Sequence, residues 1–571
     1  MTARAALLGT TAAAGAAAAW TGIASATFLA GAGLWGAFPY PSWQWWSYLP
    51  FASSNPTVAF WLKASAVVAT AFVAAGALRF WPKLRGSRPL HGETHFASAA
   101  EAQRAGLSYD RQPPGDGFLL GLAPGPFGVG RRFVSLRTEE HAALLAPPRS
   151  GKAVSIICPL LFSWAGSCIA VSVKRDLVRD AAAARAAMGQ QVFVFDPGSS
   201  EGRSHRWNPL GHVPRGGPEC FDAVAKVFQH LIPDTKSNNP YWVNASRRIA
   251  VAVAVLLAET PGAALNVAAV KRLLGRPDYD DALRTMIGDA RTAGRPYPAA
   301  AVDAILGWLA RAGDEGAAGV RDNALVAMSL WDNPVIAAAT EASDFDLATL
   351  RQQPATIFVC AEVADIRRLR PLIALFFQEL IAATTRQEFR DLPEPKHRVA
   401  VICDEMAGYG EVRAIADASA FVASSGLRFL FVAQAKQQLH SLYGENGAEG
   451  IFANVGCEIL FGGVDQRLAE EVSRRGGDNT VAEVSTNRPR FWSWLSPGKQ
   501  SESEAAKRRA LMLPQEVARL PRDQLLVLRR FLPPLKLKRI EWFTDPHFAR
   551  MAAPAPAIPA LTITVERDAG P

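Results

Sequence analysis

The sequence lacks the cysteine and histidine patterns that are typical of metal-binding and disulfide-stabilised proteins. No C-x-x-C pair occurs, and the six cysteines lie mostly in apolar segments: Cys158, Cys168, Cys220, Cys360, Cys403 and Cys457. The nine histidines form no H-E-x-x-H motif or comparable cluster. This usage predicts buried thiols in a reducing compartment and offers no metal site built from protein ligands alone.

Charge is also missing from the N-terminal part of the chain, where no Asp, Glu, Lys, Arg or His occurs from Ala5 to Leu62. Within it, Ala6 to about Trp35 is long enough to cross a bilayer. A second apolar run, Thr57 to Leu78, is broken only by Lys63 near one end. We therefore expect two transmembrane helices. The alternative for the first segment is a signal peptide that is cleaved near residues 24–26.

The loop between the two apolar runs predicts how they are oriented. Residues 38–56 hold three Trp and two Tyr and no basic residue, which is typical of an interfacial aromatic belt. Four basic residues follow the second run directly: Arg79, Lys83, Arg85 and Arg88. By the positive-inside rule, the loop lies in the periplasm and both ends of the chain lie in the cytoplasm.

A candidate phosphate-binding loop follows an apolar strand at Ala142 to Leu145. A turn and a second apolar segment that opens a helix supply the context in which backbone N–H groups and a lysine bind phosphate. The residues expected to bind nucleotide are Pro148, Arg149, Ser150, Gly151, Lys152, Ala153 and Val154. Ala146 and Ala153 depart from the G-x-x-x-x-G-K-[ST] pattern, and a Gly-Lys pair between apolar runs also occurs in ordinary turns.

An acid pair far downstream favours nucleotide hydrolysis. The apolar strand Val399 to Cys403 ends in Asp404 and Glu405, at the carboxyl edge expected of a parallel sheet. We expect Asp404 to hold Mg²⁺ through water and Glu405 to orient and deprotonate the attacking water. The alternative is a strand that ends in a solvated acidic turn. Together with the lysine loop, the pair predicts a P-loop ATPase that uses ATP and Mg²⁺. In such an ATPase we expect Gln434, which closes the strand at 427–433, to sense the γ-phosphate or the attacking water.

The remaining pattern predicts the domain organisation. With 571 residues, the chain is too long to fold around a single hydrophobic core. Its net charge of +9 suits a polyanionic partner. Strands and helices alternate on both sides of a purely helical stretch, which is typical of a parallel sheet with an inserted domain. We expect a strand at 525–528 to close the sheet, an exposed loop at 485–507, and a disordered Pro/Ala-rich tail. The predicted fold class is α/β, with a membrane anchor at 1–88, a nucleotide-binding domain in two parts at 89–220 and 348–550, an inserted all-α domain at 221–347, and a disordered tail at 551–571.

With these pieces in order, the chain resembles the coupling-protein ATPases of type IV secretion systems, the conjugative DNA-transfer family. The resemblance runs from about His91 to Phe548 and includes the two-span anchor. Its motifs are Pro148 to Lys152, Pro159-Leu160-Leu161, Lys174-Arg175-Asp176, Asn208-Pro209-Leu210, Asp404-Glu405 with Gly410, Gln434, Gln438-Leu439, Tyr443-Gly444, Asn454, Phe461-Gly462, Leu513 to Val517, and Leu520-Pro521.

The resemblance implies a RecA-like motor that forms a homo-hexamer at the bacterial inner membrane. Each chain would be a multi-pass membrane protein with most of its residues in the cytoplasm. Its implied partners are single-stranded DNA with a relaxase, or protein effectors, and the secretion channel; the helical domain would face the cytoplasm and meet the substrate. Three departures stand out. Ser172 occupies a position that is often acidic, residues 423–425 hold no basic residue that could act as an arginine finger, and Ala153 gives Mg²⁺ no hydroxyl, with Ser155 too far along to replace it.

Two functions follow from these observations. The first is an ATP-driven translocase that couples a DNA–protein or protein substrate to the secretion channel. The second is a nucleotide-dependent membrane receptor for protein effectors, with little or no translocase activity, which the departures at Ala153 and at 423–425 would suit. The intact acid pair favours the first, because phosphoryl transfer depends mainly on positioning and electrostatics.

Overall fold

The computed structural model describes residues 2–34, 43–84, 94–125, 129–173, 175–234, 240–311, 315–486 and 502–565. The chain divides into two compact units. The first contains the N-terminal helices and most of a two-stranded sheet, and the second contains a large sheet with its flanking helices. All six cysteines are buried, as their apolar surroundings predicted.

The N-terminal helices are α1 (Thr2–Gly31), the short α2 (Gln44–Tyr48) and α3 (Pro56–Leu84). Aromatic residues of α2 lie between the long helices: the indole N–H of Trp45 donates to the Ser65 hydroxyl at 2.9 Å, and its backbone N–H to the Ser25 hydroxyl at 3.0 Å. The two long apolar helices fit the predicted transmembrane anchor, and residues 56–76 have the length and hydropathy of a membrane span. Residues 35–42 and the basic residues Arg85 and Arg88 lie outside the described part.

The second unit is built on a twelve-stranded sheet in the order β1-β3-β2-β14-β13-β10-β4-β9-β8-β5-β7-β6. Its strands are β1 Leu107–Asp110, β2 Phe118–Pro124, β3 Arg131–Leu136, β4 His141–Leu145, β5 Ser167–Ser172, β6 Gln191–Phe195, β7 Ala355–Cys360, β8 Val399–Cys403, β9 Leu427–Ala433, β10 Val455–Phe461, β13 Gln524–Arg529 and β14 Leu532–Lys538. The separate two-stranded sheet pairs β11 Asp478–Thr486 with β12 Glu502–Ala510.

Seven neighbouring strands, from β10 to β6, are parallel. They are buried on both faces: along β4, Ala143 and Leu145 pack into one hydrophobic core, and Ala142 and Leu144 pack into the other. This explains why these strands appear in the sequence as continuous apolar runs without alternation. Because parallel strands end at the same edge, the segments that follow β4, β9 and β8 emerge side by side.

Five antiparallel strands extend the sheet beyond β10, which differs from the prediction that residues 525–528 close it. β13 pairs with β10 on one side and with β14 on the other, and β14 is followed by β2, β3 and β1. The strands that precede the phosphate loop in sequence therefore complete the far edge. The pairing of β2 with β14 joins segments hundreds of residues apart, which a local pattern cannot reveal.

Helices cover both faces of the sheet. Those outside the long insertion are α4 Ala99–Arg104, α5 Cys158–Ser163, α6 Asp176–Ala187, α14 Ile366–Thr385, α15 Arg413–Ala418, α16 Lys436–Asn454, α17 Gln466–Gly476 and α18 Pro514–Ala518.

Between β6 and β7 the described residues contain helices and no strand of the sheets: α7 Pro218–Leu231, α8 Tyr241–Glu259, α9 Val267–Gly275, α10 Tyr279–Thr292, α11 Ala299–Leu309, α12 Glu315–Ala327 and α13 Pro334–Ala339. α8 also has the length and hydropathy of a membrane span, but it is mostly buried among these helices and so reads as a core helix. The helices share a hydrophobic core with one face of the sheet. The boundaries of a separate domain at 221 and 347 therefore remain a prediction.

Two segments that were expected to be irregular make backbone pairings in the structure. In the tail, the Leu561 N–H donates to the Gly202 carbonyl at 2.8 Å, and the Pro559 carbonyl accepts from Ser204 N–H at 3.0 Å. An extended Pro-rich segment can still pair its remaining backbone groups with another segment. The disorder expected at 551–571 remains a prediction. The expected loop at 485–507 begins within β11 and ends within β12, while residues 487–501 and 566–571 lie outside the described part.

Candidate nucleotide site

The phosphate loop leaves the sheet beside β9, because the N–H of Ala146 donates to the Ala433 carbonyl at 3.2 Å. Two residues of the loop adopt left-handed backbone conformations, Arg149 with φ 54° and Gly151 with φ 83°. A π-helical turn, Ala153–Ile157, follows directly and continues into α5. π-helical turns are uncommon and often occur at functional sites. The loop therefore bends sharply into a helix N-terminus, where free N–H groups favour an anion.

Lys152 is the buried member of this loop. Its side chain is 9% exposed, and its ammonium group has no hydrogen-bond partner among the described residues. The hydroxyl of Ser150 is buried without a partner as well. Of the other residues expected to bind nucleotide, Pro148 and Arg149 are exposed, whereas Gly151, Ala153 and Val154 are partly buried. Since unpaired buried polar groups are costly, these two atoms indicate a site that is completed by a ligand.

The acid pair lies at the end of β8. Asp404 is partly buried, and its backbone N–H donates to the Val171 carbonyl at 3.2 Å. Its Oδ1 has no hydrogen-bond partner in the part of the chain that the structure describes. Burial raises the pKa of Asp404 to about 6, the positive charge of Lys152 opposes that rise, and the negative charge of Glu405 adds to it. Glu405 itself is exposed and has a left-handed backbone, with φ 51°. The lysine of the loop and the first acid are thus electrostatically coupled.

Gln434 completes the group. It is partly buried and follows β9, which pairs with β4 on one side and with β8 on the other. The sheet therefore brings the ends of three strands together, although Lys152 and Glu405 are far apart in sequence. The roles predicted for Lys152, Asp404, Glu405 and Gln434 remain predictions. Within the described ranges, no group of three or more His, Cys, Asp or Glu is arranged to hold a metal ion.

One residue of this site was missed by the sequence analysis. Arg539, which directly follows β14, donates from its guanidinium to the Ser155 hydroxyl at 2.9 and 3.1 Å and to the Ser150 carbonyl. It is 384 residues from Ser155 along the chain, and it belongs to no motif that marks a nucleotide site. Ser155, which follows the loop, accepts these bonds from an arginine.

Several of the family motifs make contacts within the fold. Arg175 donates to Asp196 Oδ2 at 2.7 Å and so connects the ends of β5 and β6, whereas Lys174 lies outside the described residues. Asn208 donates from its side chain to the Leu265 carbonyl at 2.7 Å, near the start of the helical insertion. At Gly462, a Cβ atom would lie 2.3 Å from the Leu520 carbonyl oxygen, so only glycine fits.

The model of the family "Type IV secretory system Conjugative DNA transfer" matches residues 95–563. The chain belongs to this family. The resemblance that the sequence motifs suggested is therefore confirmed, and it covers both parts of the sheet together with the helical insertion. The protein is a coupling protein of a type IV secretion or conjugation system.

Individual relatives agree with this assignment. Protein VirD4 of Rhizobium radiobacter is 27% identical over 517 residues, which cover 89% of this chain and 71% of the relative. The conjugal transfer protein TraG of Escherichia coli is 27% identical over 528 residues, covering 84% and 82%. Among solved structures, the plasmid coupling protein TrwB in complex with the ATP analogue ADPNP aligns with a TM-score of 0.54 and 18% identity, over 81% of this chain and 97% of that one. This similarity shows that the two chains share a RecA-like α/β fold.

Proposed function

We propose that this coupling protein hydrolyses ATP to drive its substrates to the secretion channel. The observation that carries the proposal is a pair of buried groups without hydrogen-bond partners among the described residues, the Lys152 ammonium after β4 and Asp404 Oδ1 after β8, on either side of β9. Structures of TrwB have been solved with ADPNP and with ADP and Mg²⁺. Phosphate oxygens would accept the hydrogen bonds that the Lys152 ammonium can donate, and Mg²⁺ would compensate the charge of the Asp404 carboxylate.

The residues present fit ATP and Mg²⁺. The Lys152 ammonium and the loop N–H groups would hold phosphate oxygens, the Asp404 carboxylate would hold Mg²⁺ through water, and the Ser150 hydroxyl is free to bind either ligand. When bound, Mg²⁺ neutralises charge on the phosphates. Ala153 has no side-chain oxygen, and the Ser155 hydroxyl accepts hydrogen bonds from Arg539. Asp404 is therefore the side chain best suited to the metal.

The chemistry that this chain itself supplies is electrostatic and acid–base. Lys152 places a positive charge where the phosphates bind, and it simultaneously favours the ionised form of Asp404. Glu405, exposed at the sheet edge, would take a proton from the attacking water. Gln434, which follows the strand between the loop and the acids, would orient that water or contact the terminal phosphate.

We further propose a homo-hexamer in the inner membrane, anchored by α1 and α3, with most of the chain in the cytoplasm. Single-stranded DNA with a relaxase, or protein effectors, are the proposed substrates, and the net charge of +9 supports a polyanion among them. The helical insertion is the proposed substrate-recognition region. The alternative, a receptor with little translocase activity, is not better supported, because the lysine and both carboxylates are present in the described site.

Replacing Lys152 tests the proposal. In full-length protein in nanodiscs, Lys152→Ala should abolish binding of a fluorescent ATP analogue, and in cells it should abolish substrate transfer. The matched control is Lys396→Ala, because Lys396 precedes β8 at the opposite edge of the sheet and pairs there with Glu394. Normal nucleotide binding and transfer by Lys152→Ala would remove this site from the mechanism.

A further inference from the structure

The guanidinium of Arg539 contacts the phosphate loop on both sides of Gly151-Lys152. One nitrogen, Nη2, donates to the Ser150 carbonyl before this pair and to the Ser155 hydroxyl after it, the latter at 2.9 Å, while Nε also donates to Ser155 at 3.1 Å. A planar fork of N–H groups can bridge two such acceptors, which a lysine ammonium on a flexible stem does less well. Arg539 therefore connects the start of the loop to the helix that follows it.

The guanidinium is itself held in place. Its Cζ lies 3.8 Å from the centroid of the Phe461 ring, and its Nη1 donates to the Arg522 carbonyl at 3.0 Å. On the other side it packs against the loop, since a Cβ atom at Gly151 would lie only 2.7 Å from Nη2. Gly151 also has a φ of 83°, which favours glycine. The arginine and the glycine are thus fitted to each other.

Arg539 donates no hydrogen bond to a carboxylate within the described chain; burial lowers the pKa of its guanidinium, and the negative charge of Glu541 partly opposes that shift. The hydrogen-bond partners of the guanidinium in the described chain are two carbonyls and one hydroxyl. Arg529, at the end of β13, differs in this respect because it pairs with Glu140 at 2.9 Å. A fixed cation whose bonds go to the phosphate loop is suited to organising an anion site before the ligand arrives.

We propose that Arg539 is a positioning residue of the nucleotide site, which holds Ser150 and Ser155 so that the phosphate loop keeps its binding conformation when no nucleotide is present. This inference rests on the proposed function, since it assumes that the loop binds ATP. It also assigns a role to the segment that follows β14, the last strand of the sheet in sequence, because this segment then contributes to nucleotide affinity through the phosphate loop.

The test uses full-length protein in nanodiscs. Arg539→Gln should lower the affinity for a fluorescent ATP analogue about tenfold or more, the scale of losing hydrogen bonds to a charged group. Without nucleotide, it should also speed hydrogen exchange of the backbone amides of residues 147–157. Arg530→Gln is the matched control, because Arg530 lies at the other end of β14 and donates to the Ala453 carbonyl. The control should change neither quantity.

Two more variants separate positioning from charge and from folding. Arg539→Lys should fail to restore loop protection, because it keeps the charge but loses the fork. Ser155→Ala should weaken binding on its own, and adding it to Arg539→Gln should cost little more, because both remove the same bond. Thermal unfolding of each variant reports whether it folds; if Arg539→Gln does not, the Lys and Ala variants decide.

Unchanged affinity and exchange in folded Arg539→Gln, full rescue by Arg539→Lys, or additive effects with Ser155→Ala would each overturn the inference. Lys152→Ala distinguishes this failure from failure of the proposed function. If Lys152→Ala loses nucleotide binding while Arg539→Gln keeps it, only the role of Arg539 is wrong.

Discussion

Replacing Asp404 should stabilise the protein while it impairs the site. The carboxyl of Asp404 is largely withdrawn from water, one of its oxygens has no partner, and burial raises its pKa from 3.8 to about 6. This difference of about two in pKa corresponds to a free-energy cost of about 3 kcal/mol for keeping the ionised carboxylate in the folded chain. The value is an upper bound, because the residue is partly exposed.

The sign of the effect depends on pH. Because the folded chain binds the proton more tightly than the unfolded chain, the wild-type protein loses stability as the pH rises from about 4 to about 6. Asp404→Asn is neutral throughout, so without nucleotide it should be more stable than the wild type by up to about 3 kcal/mol at pH 8. The gain should shrink to about half that value at pH 5 and vanish below about pH 4.

Thermal unfolding of the nucleotide-free, full-length protein in nanodiscs at pH 5 and pH 8 measures this gain. The midpoint for Asp404→Asn should lie up to about 3 °C above the wild type at pH 8, with a smaller difference at pH 5. Asp303→Asn is the control, because Asp303 is exposed on α11 and its neutralisation should not stabilise the fold. A variant less stable than the wild type at pH 8, or a gain independent of pH, would show that the charge of Asp404 is not buried as described.

Three further predictions concern the motor. Glu405→Gln should bind ATP normally but hydrolyse it about a hundredfold more slowly, because the amide keeps the shape and loses the base; equal turnover by both proteins would move water activation elsewhere. Hydrolysis per protomer should rise with protein concentration and with added single-stranded DNA, and a constant rate over both titrations would contradict a ring whose sites are completed by neighbours. Polar substitutions of exposed apolar residues on the helical insertion, such as Tyr241 and Val326, should block export of particular substrates and leave ATP turnover unchanged; joint loss of both would make the insertion structural.

The contrast between Lys152 and Arg539 indicates where sequence reasoning succeeds. Lys152 lies in a local pattern, a strand, a turn and a helix start within about twenty residues, and each part has its own chemical signature. Asp404 and Glu405 carry a similar signature, since a continuous apolar run that ends in acids is typical of a buried parallel strand. Arg539 has no such neighbourhood, because its partners are supplied by a segment 384 residues away.

The sequence by itself determined the phosphate loop, the acid-bearing strand, the long helical stretch and the apolar N-terminal segments, because each depends on residues close together in the chain. Only the tertiary structure decided that β9 lies between β4 and β8, that five antiparallel strands extend the sheet beyond β10, and that the tail pairs with residues 202–204. It alone decided which buried groups lack partners, such as Asp404 Oδ1. Strand order, register and polar satisfaction depend on contacts between distant segments, and hydrophobic periodicity records that a residue is buried without recording what buries it.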